Sequence, residues 1–178
     1  KKLFGTNPIA FAWPRPNNSP VVFDMATAAM AMGDGPIAAR DGKTVPEGTG
    51  LNADGNETTD PAEIIKGMLL PFGGYKGSHI AMMIELLAGP LVGETTSFHS
   101  QKRDSGDGGP PRGGQFILAI NPELLSAGNW HDEGEAFLDR LSDLDGTRLP
   151  SQRRYQNRLN PGPREINTEL LKKIGVAI

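Results

Sequence analysis

The segment Leu70-Pro71-Phe72-Gly73-Gly74-Tyr75-Lys76-Gly77-Ser78 constrains the fold more than any other part of this sequence. It places three glycines and one lysine directly before an apolar stretch, residues 80–92, which predicts a helix. The first N–H groups of a helix lack internal partners and carry the positive end of its dipole, so they attract anions. With the Lys76 ammonium beside them, the segment predicts a phosphate site, and Ser78 is the expected helix cap. The alternative is a glycine-rich turn with a solvated lysine, because the spacing is not that of a Walker motif.

The helix predicted to follow Ser78 has apolar residues on nearly every face over 80–88, which is typical of a buried helix. Gly89-Pro90 should end or kink it. Strands are expected at 9–13, 21–23 and 115–120, where apolar runs are bounded by turn residues. The first two strands should pair antiparallel, because the connection between them is short.

A further helix should begin at Asp60-Pro61, with Asp60 as N-cap, Pro61 in the first position and Glu63 completing a capping box. The remaining expectations are an interrupted helix over 27–40, a loop over 41–59, a mobile loop or lid over 97–114, a helix over 131–144 ended by Gly146, an arginine-rich connector over 147–163, and a last helix capped by Asn167 and running through Ile174.

Composition narrows the class of protein. The sequence has 178 residues, a net charge of -3 and no basic block, which argues against nucleic acid or a membrane as the main partner. It has no cysteine, so sulfur-based metal sites and disulfides are excluded, and a reducing cytoplasm is the expected compartment. Because the chain begins at Lys1 without methionine and enters strand-like sequence at once, we expect it to be the C-terminal portion of a longer protein.

Several motifs of well-known chemistry do not hold. Gly33-x-Gly35-x-x-Ala38 matches a dinucleotide fingerprint only superficially, because no strand is expected directly before it and Pro36 lies inside it. The three histidines, His79, His99 and His131, lack metal-ligand spacing, so no metal site is predicted. A serine hydrolase finds no support because G-x-S-x-G is absent.

Two short motifs stand at the ends of the first strands. Gly5-Thr6-Asn7-Pro8 precedes the first strand, and Asp24-Met25-Ala26-Thr27 follows the second. Strand ends often face ligands in mixed α and β proteins. Each motif alone is also explained as a plain turn, and Asp24 as the cap of the alanine-rich helix.

Taken together, these segments resemble the malate/L-lactate dehydrogenase type 2 family of NAD(P)-dependent oxidoreductases. The resemblance is carried by Gly5-Thr6-Asn7-Pro8-Ile9-Ala10-Phe11, Val22-Phe23-Asp24-Met25-Ala26-Thr27, Thr58-Thr59-Asp60-Pro61 and the Leu70–Ser78 segment. Within the family, the chain is most similar to Δ1-piperideine-2-carboxylate/Δ1-pyrroline-2-carboxylate reductases, through Ile37-Ala38-Ala39-Arg40, Pro46-Glu47-Gly48 and Arg153-Arg154-Tyr155. The match is weakest over 95–112 and after Asn160.

The resemblance implies an α+β fold: a mixed, predominantly antiparallel sheet flanked by helices, forming a non-Rossmann nicotinamide-binding domain. It implies a cofactor-binding domain over 1–146, a C-terminal connector and helix over 147–178, and a homodimer. The implied substrate is a small-molecule carboxylate, and the implied cofactor is NADP or NAD. The family's catalytic histidine, a proton donor, would lie upstream of Lys1, so no catalytic residue is expected in this chain.

The resemblance also implies roles for individual residues. Thr6, Met32 and Gly33 fall at substrate contacts. Cofactor contacts fall at Asp24, Met25, Ala26, Tyr75 and Lys76, and at the stretch Ser151, Gln152, Arg153, Arg154, Tyr155, Gln156 and Asn157, which resembles the segment that wraps the cofactor phosphates. Arginine suits this role because its guanidinium forms bidentate contacts with phosphate.

Three departures from the subgroup affect the expected substrate and cofactor. Met32 stands where the subgroup has a histidine, Ser151-Gln152 replaces Gly-Glu, and Gly35-Pro36 breaks the pattern after Asp34. These departures bear on the substrate more than on the family. From the resemblance, the first hypothesis is a reductase of cyclic 2-imino acids that yields the L-amino acid, with a 2-hydroxy acid dehydrogenase of the same family as the alternative. The second is a nucleotide-binding scaffold that has lost turnover.

Overall fold

The structure of the protein, a computed structural model, describes residues 2–103, 113–163 and 165–175. Its elements, in chain order, are β1 (Ile9–Trp13), β2 (Val21–Met25), α1 (Asp34–Arg40), β3 (Gly50–Leu51), β4 (Glu57–Thr58), α2 (Pro61–Lys66), β5 (Met68–Leu69), α3 (Tyr75–Ala88), α4 (Ser97–Lys102), α5 (Trp130–Ser142), α6 (Gln152–Leu159) and α7 (Thr168–Lys173).

The chain divides into two compact units. The first unit comprises residues 1–12 and 23–128, and the second comprises 13–22 and 129–178. The predicted division is functional: a cofactor-binding domain over 1–146 and a connector with a helix over 147–178. It stays a prediction. The compact units divide elsewhere because residues 13–22 share a hydrophobic cluster with the last part of the chain.

Small sheets flanked by helices form the fold, as the predicted α+β class requires. The strands β1 and β2 pair with each other, as expected, and their antiparallel orientation stays a prediction. In the first unit β3, β4 and β5 form an antiparallel sheet in the order β4-β3-β5, with Gly50 opposite both Thr58 and Leu69. These short strands were not expected, because two-residue strands carry no detectable alternation. Helix α2 packs against β3, β4 and β5, and α1 packs against α2.

Helix α2 begins as the sequence predicts. The Asp60 carboxylate accepts a hydrogen bond from the Ala62 N–H at 2.8 Å, and Pro61 is the first helical residue. The capping box itself is modified. The Thr58 hydroxyl accepts the Asp60 N–H at 3.1 Å and donates to Glu63 at 2.7 Å, so a threonine lies between the two expected partners.

The second unit is organised around α5. Leu138 is 7% exposed and forms the core cluster with Val21 and Leu149, whereas the neighbouring Phe137 is 64% exposed. The predicted helix is therefore present. Its packed face contains Leu138 but not Phe137, because only about a third of the circumference of a helix can face one core.

An ion pair joins α5 to the connection between β1 and β2. Arg15 donates from Nε and Nη2 to the two carboxylate oxygens of Glu135, at 2.8 and 2.7 Å. The hydrogen bond from Arg15 lowers the pKa of Glu135 below its usual value. The pKa of Arg15 is raised for the same reason. Such a fork-to-fork pair is among the stronger charge-assisted hydrogen bonds.

Two predictions about burial and pairing are wrong. Helix α3 is not buried: Gly77 and Ala81 face the interior, whereas Met82, Met83 and Leu86 are exposed. The stretch 115–120 forms no strand with any described residue. An apolar pattern indicates that a segment can be buried or paired. It does not show whether the fold offers a free sheet edge for a strand or a packing surface for a helix.

Two segments that were expected to be irregular are helical, and one predicted helix is shorter than expected. Residues 97–102 form α4 and residues 152–159 form α6, where a lid and a connector were expected. The rest of the predicted lid, 104–112, lies outside the described residues. The interrupted helix over 27–40 contracts to α1, which begins after Gly33, so Asp24 in β2 does not cap it. In α6, arginine and glutamine favour the helix through their intrinsic propensity.

The remaining expected elements are present. The Asn167 side chain caps α7 by accepting the Leu170 N–H at 3.1 Å, and the helix ends one residue earlier than expected, at Lys173. In the part of the chain that the structure describes, no helix combines the length and the apolar character needed to cross a membrane.

Candidate functional site

A cavity of about 300 Å³ in the first unit brings two of the predicted substrate residues together. Thr6 and Met32 both line it, whereas Gly33 does not. The other walls are mostly apolar and include Met30, Ile65 and Leu69. Its volume lies at the lower end of those that hold small organic ligands. The cavity therefore suits a small ligand with an apolar body.

The lining of this cavity includes one charged residue, Lys2. The sequence interpretation missed it, because a lysine among the first residues of a chain carries no motif. A carboxylate ligand needs a cation or several N–H donors when it leaves water. Lys2 is the available counter-charge among the residues that line this cavity.

A second, wider cavity lies beside the first. It measures about 840 Å³ and includes Gly48, Gly73, Gly74 and Tyr75 in its lining. The two cavities have part of their walls in common: Met30, Leu70 and Pro71 line both. A ligand in one cavity can therefore lie next to a ligand in the other, which is what a transfer between two bound molecules requires.

Main-chain hydrogen bonds connect the three motifs that the sequence singled out. The Thr27 N–H donates to the Thr6 carbonyl at 2.8 Å, and the Phe72 N–H donates to the Thr27 carbonyl at 3.0 Å. The Thr27 hydroxyl also bonds to the carbonyls of Thr6 and Asn7, each at 3.0 Å. Thr27, only 1% exposed, therefore joins the turn before β1 to the glycine-rich segment.

The glycine-rich segment opens α3 as predicted. Gly73 and Gly74 have φ values of 58° and 62°, in the region that favours glycine. Gly74 is the N-cap, and the first turn of α3 contains no acidic residue. The leading N–H groups of the helix and the two glycines thus remain compatible with a bound anion.

Two details of this segment differ from the prediction. Ser78 does not cap α3: its hydroxyl donates back to the Gly74 carbonyl at 3.4 Å, from inside the first turn. Gly77 serves packing, because a Cβ there would lie 2.0 Å from the Phe72 carbonyl oxygen. Of the three glycines in this segment, Gly73 and Gly74 line the second cavity and Gly77 does not, whereas Ser78 does line it.

The predicted cofactor residues of the first unit are partly assembled. Tyr75 lines the second cavity and packs edge-on against His79, with ring centroids 5.6 Å apart. Lys76 is exposed, lines neither cavity and forms no ion pair within the described residues. The residues Asp24, Met25 and Ala26 end or follow β2 and line neither cavity.

The predicted phosphate-wrapping stretch belongs to the second unit. Two of its hydroxyl groups are already engaged: Ser151, at φ 65°, donates to the Val22 carbonyl at 2.6 Å, and Tyr155 donates to the Pro20 carbonyl at 3.0 Å. These bonds anchor α6 to the segment before β2. Arg153 and Arg154 are exposed on the helix and form no ion pair with a described residue. Gln152, Gln156 and Asn157 are also exposed on α6.

Among residues 2–103, 113–163 and 165–175, no group of three or more histidine, aspartate or glutamate side chains is arranged to hold a metal ion.

Comparison with known proteins identifies the family. Residues 1–174 match the family described as Malate/L-lactate dehydrogenase. Among curated relatives, a Delta(1)-pyrroline-2-carboxylate reductase of Ancylobacter novellus is 47% identical over 166 residues, which cover 88% of this chain and 47% of that protein. A Delta(1)-pyrroline-2-carboxylate/Delta(1)-piperideine-2-carboxylate reductase of Pseudomonas aeruginosa is 45% identical over 161 residues, covering 89% and 48%.

Solved structures agree. The delta1-piperideine-2-carboxylate reductase from Pseudomonas syringae superimposes with a TM-score of 0.82 at 40% identity, covering 99% of this chain and 50% of that one. The sulfolactate dehydrogenase from Methanocaldococcus jannaschii gives 0.78 at 30% identity, covering 98% and 52%. The chain spans about half the length of the curated relatives it matches. Its motifs, its fold and these matches together show that the chain belongs to the malate/L-lactate dehydrogenase family.

Proposed function

We propose that the full-length protein containing this chain reduces a small cyclic 2-imino acid, Δ1-piperideine-2-carboxylate or Δ1-pyrroline-2-carboxylate, to the L-amino acid with NAD(P)H. The observation that carries the proposal is the 43–47% identity to reductases of that name over 88–89% of this chain. The cavity lined by Thr6 and Met32 supports it, because a ring of methylene groups needs apolar walls.

The residues of the first unit fit the two ligands that this reaction needs. The walls formed by Met30 and Met32 would bind the ring of the substrate, and Lys2 would balance its carboxylate. Thr6 would orient the substrate through its hydroxyl. The wider cavity, with Gly73, Gly74 and Tyr75 in its lining, would hold the nucleotide, and the α3 N-terminus would stabilise its phosphates.

A bound nicotinamide would supply the hydride to the imine carbon. The ring nitrogen would then take a proton. The family resemblance assigns that proton to a histidine that this chain does not contain. The part of this chain is to bind and orient the substrate, and its apolar cavity walls exclude water from the reacting carbon.

We propose NADP as the preferred nucleotide. Arg153 and Arg154 are exposed cations on α6 with no ion pair among the described residues, and a 2′-phosphate is a bidentate match for a guanidinium. The test is fluorescence titration of the full-length protein with NADPH and NADH. The double variant Arg153→Ala/Arg154→Ala should weaken NADPH binding and leave NADH binding nearly unchanged. Equal weakening of both would contradict the assignment of the 2′-phosphate.

We further propose that the nucleotide-binding domain is not of the Rossmann type, and that the protein is a cytoplasmic homodimer. The Gly33 segment follows irregular chain rather than a strand, which supports the first point. The exposed Met82, Met83 and Leu86 of α3 support a subunit interface, and the lack of cysteine supports a reducing compartment. A crystal structure with NADPH, sedimentation analysis and cell fractionation test the three points.

Turnover by the full-length protein tests the main proposal. Oxidation of NADPH should be rapid with the cyclic imines and slow with pyruvate or malate-type 2-oxo acids. The opposite order would favour the 2-hydroxy acid dehydrogenase, which the 30% identity to a sulfolactate dehydrogenase keeps as the second candidate. Binding of NADPH without turnover of any substrate would favour the scaffold, for which the changes at Met32 and Ser151-Gln152 are the motive.

A further inference from the structure

A polar network behind the small cavity holds the turn that carries Thr6. Asn7 is 7% exposed and has φ 38°, an uncommon backbone conformation for a residue with a side chain. Its amide nitrogen donates to the Ala81 carbonyl at 2.9 Å and to Glu85 Oε2 at 2.7 Å. Both acceptors belong to α3, the helix whose N-terminus opens at Tyr75.

The Glu85 carboxylate is itself fixed by α4. The Ser97 hydroxyl donates to Glu85 Oε2 at 2.8 Å, and the Ser97 N–H donates to Glu85 Oε1. The Ser97 hydroxyl also lies 3.2 Å from Asn7 Oδ1, which closes a triangle of three side chains. A Cβ added at Gly5 would lie 3.0 Å from both Asn7 Oδ1 and Ser97 Oγ, so the turn packs directly on this triangle.

Neither Asn7 nor Glu85 lines either cavity, so neither is placed to contact a ligand there. Their hydrogen bonds hold the turn that carries Thr6 from two sides. The Thr27 hydroxyl bonds to the carbonyls of Thr6 and Asn7, and the Asn7 side chain bonds the turn to α3. An uncommon backbone conformation persists only where the surroundings over-determine it.

We infer that Asn7 and Glu85 are positioning residues, which set Thr6 against the helix that opens the nucleotide cavity. This inference rests on the proposed function. A misplacement of a binding group by about 1 Å can cost on the order of 100-fold in rate. Loss of the network should therefore lower kcat/KM for the imine while the affinity for NADPH is preserved.

The experiment measures the full-length protein with Δ1-pyrroline-2-carboxylate. In Asn7→Asp a second carboxylate faces Glu85, and kcat/KM should fall about 10- to 100-fold, with the Kd for NADPH within about twofold of the wild type. The double variant Asn7→Asp/Glu85→Gln lets the new amide donate to Asp, so it should recover at least part of the loss. The preserved Kd for NADPH separates a positioning role from general destabilisation, which would weaken NADPH binding as well.

The matched control is Glu63→Gln, which alters a carboxylate of the same unit that also accepts a side-chain hydroxyl, from Thr58, and lines neither cavity. Its kcat/KM should equal that of the wild type. If Asn7→Asp does not fold, Ser97→Ala removes two bonds of the triangle without adding charge and should still lower kcat/KM about tenfold.

Wild-type turnover with unchanged kcat/KM in Asn7→Asp, or in Ser97→Ala, would overturn this inference alone, as would a double variant no better than Asn7→Asp. Absence of turnover in the wild type would refute the proposed function, and this inference with it.

Discussion

At the scale of single residues, the site depends on a few atoms whose partners lie far away in the chain. The Thr27 hydroxyl bonds two successive carbonyls, Thr6 and Asn7, twenty residues upstream. One hydroxyl hydrogen is shared between two acceptors, so the bond fixes the direction of the peptide group more than it adds stability. The contact holds the turn that carries Thr6, a lining residue of the smaller cavity.

The exposed Lys76 gives the most direct test of the phosphate site. If the Lys76 ammonium balances the pyrophosphate, as the sequence predicts, Lys76→Ala in the full-length protein should weaken NADPH binding about tenfold, or about 1.4 kcal/mol. Fluorescence titration measures the change. Lys66→Ala removes an exposed lysine of α2 and should have no effect. Unchanged affinity in Lys76→Ala would refute the phosphate role of this lysine.

Gly74 is the residue at which the backbone itself excludes a side chain. With φ 62° and ψ -127°, it occupies a conformation that is strongly unfavourable for other residues. Gly74→Ala should lower the free energy of unfolding by about 1–3 kcal/mol, measured by urea titration. Gly33→Ala is the control, since Gly33 has φ -72° and open space at its Cβ position. Equal effects of the two changes would contradict this explanation.

At the scale of elements, α3 and α5 show how a helix is used once its position is set. Helix α3 fully buries only small residues, Gly77 and Ala81, and exposes several of its large apolar side chains, among them Met82, Met83 and Leu86. Helix α5 does the reverse and buries Leu138. The two helices therefore differ in what stabilises them: close backbone approach in α3, and burial of a large apolar side chain in α5.

The ion pair between Arg15 and α5 predicts a pH dependence. The pKa of Glu135 is lowered by the hydrogen bond from Arg15, so the pair stabilises the fold above the usual carboxyl pKa and loses this effect as the pH falls through the lowered value. In thermal melts at neutral pH, the wild type should have a higher Tm than Glu135→Gln. The difference should vanish in acid.

Glu57→Gln, which alters an exposed carboxylate outside this ion pair and outside any helix, is the control and should have the melting temperature of the wild type at every pH. A difference between the wild type and Glu135→Gln that persisted undiminished in acid would show that the charge of Glu135 is not its source.

At the scale of the whole molecule, each compact unit has its own packing. The cavities and the turn carrying Thr6 belong to the first unit, whereas α6 with its arginines belongs to the second. The buried cluster of Val21, Leu138 and Leu149 lies entirely within the second unit. A unit with so small a core depends strongly on each of its members.

Leu138→Ala tests this organisation. The change should cost about 2–5 kcal/mol of local stability, through lost burial and the remaining cavity. Hydrogen exchange should speed up in 13–22 and 130–142 and stay unchanged in the first unit. Phe137→Ala removes a larger but exposed neighbour and should leave exchange nearly unaltered. Faster exchange throughout both units would indicate that the chain unfolds as one.

Features that depend on residues a few positions apart were predictable from the sequence. The cap at Asp60, the start of a helix within the glycine-rich segment, the helix around Leu138 and the family motifs all follow from such local patterns. Local patterns suffice here because caps, turns and periodicity involve atoms within about one helical turn of each other.

Which of the predicted residues lie together depends on tertiary contacts. The tertiary structure brought Thr6 and Met32 to one cavity, left Lys76 outside both, and used the hydroxyls of Ser151 and Tyr155 to anchor α6. It also exposed the face of α3 that was expected to be buried. Such outcomes are set by contacts between residues as distant as Asn7 and Glu85, and no pattern within a short window records which distant partner will be there.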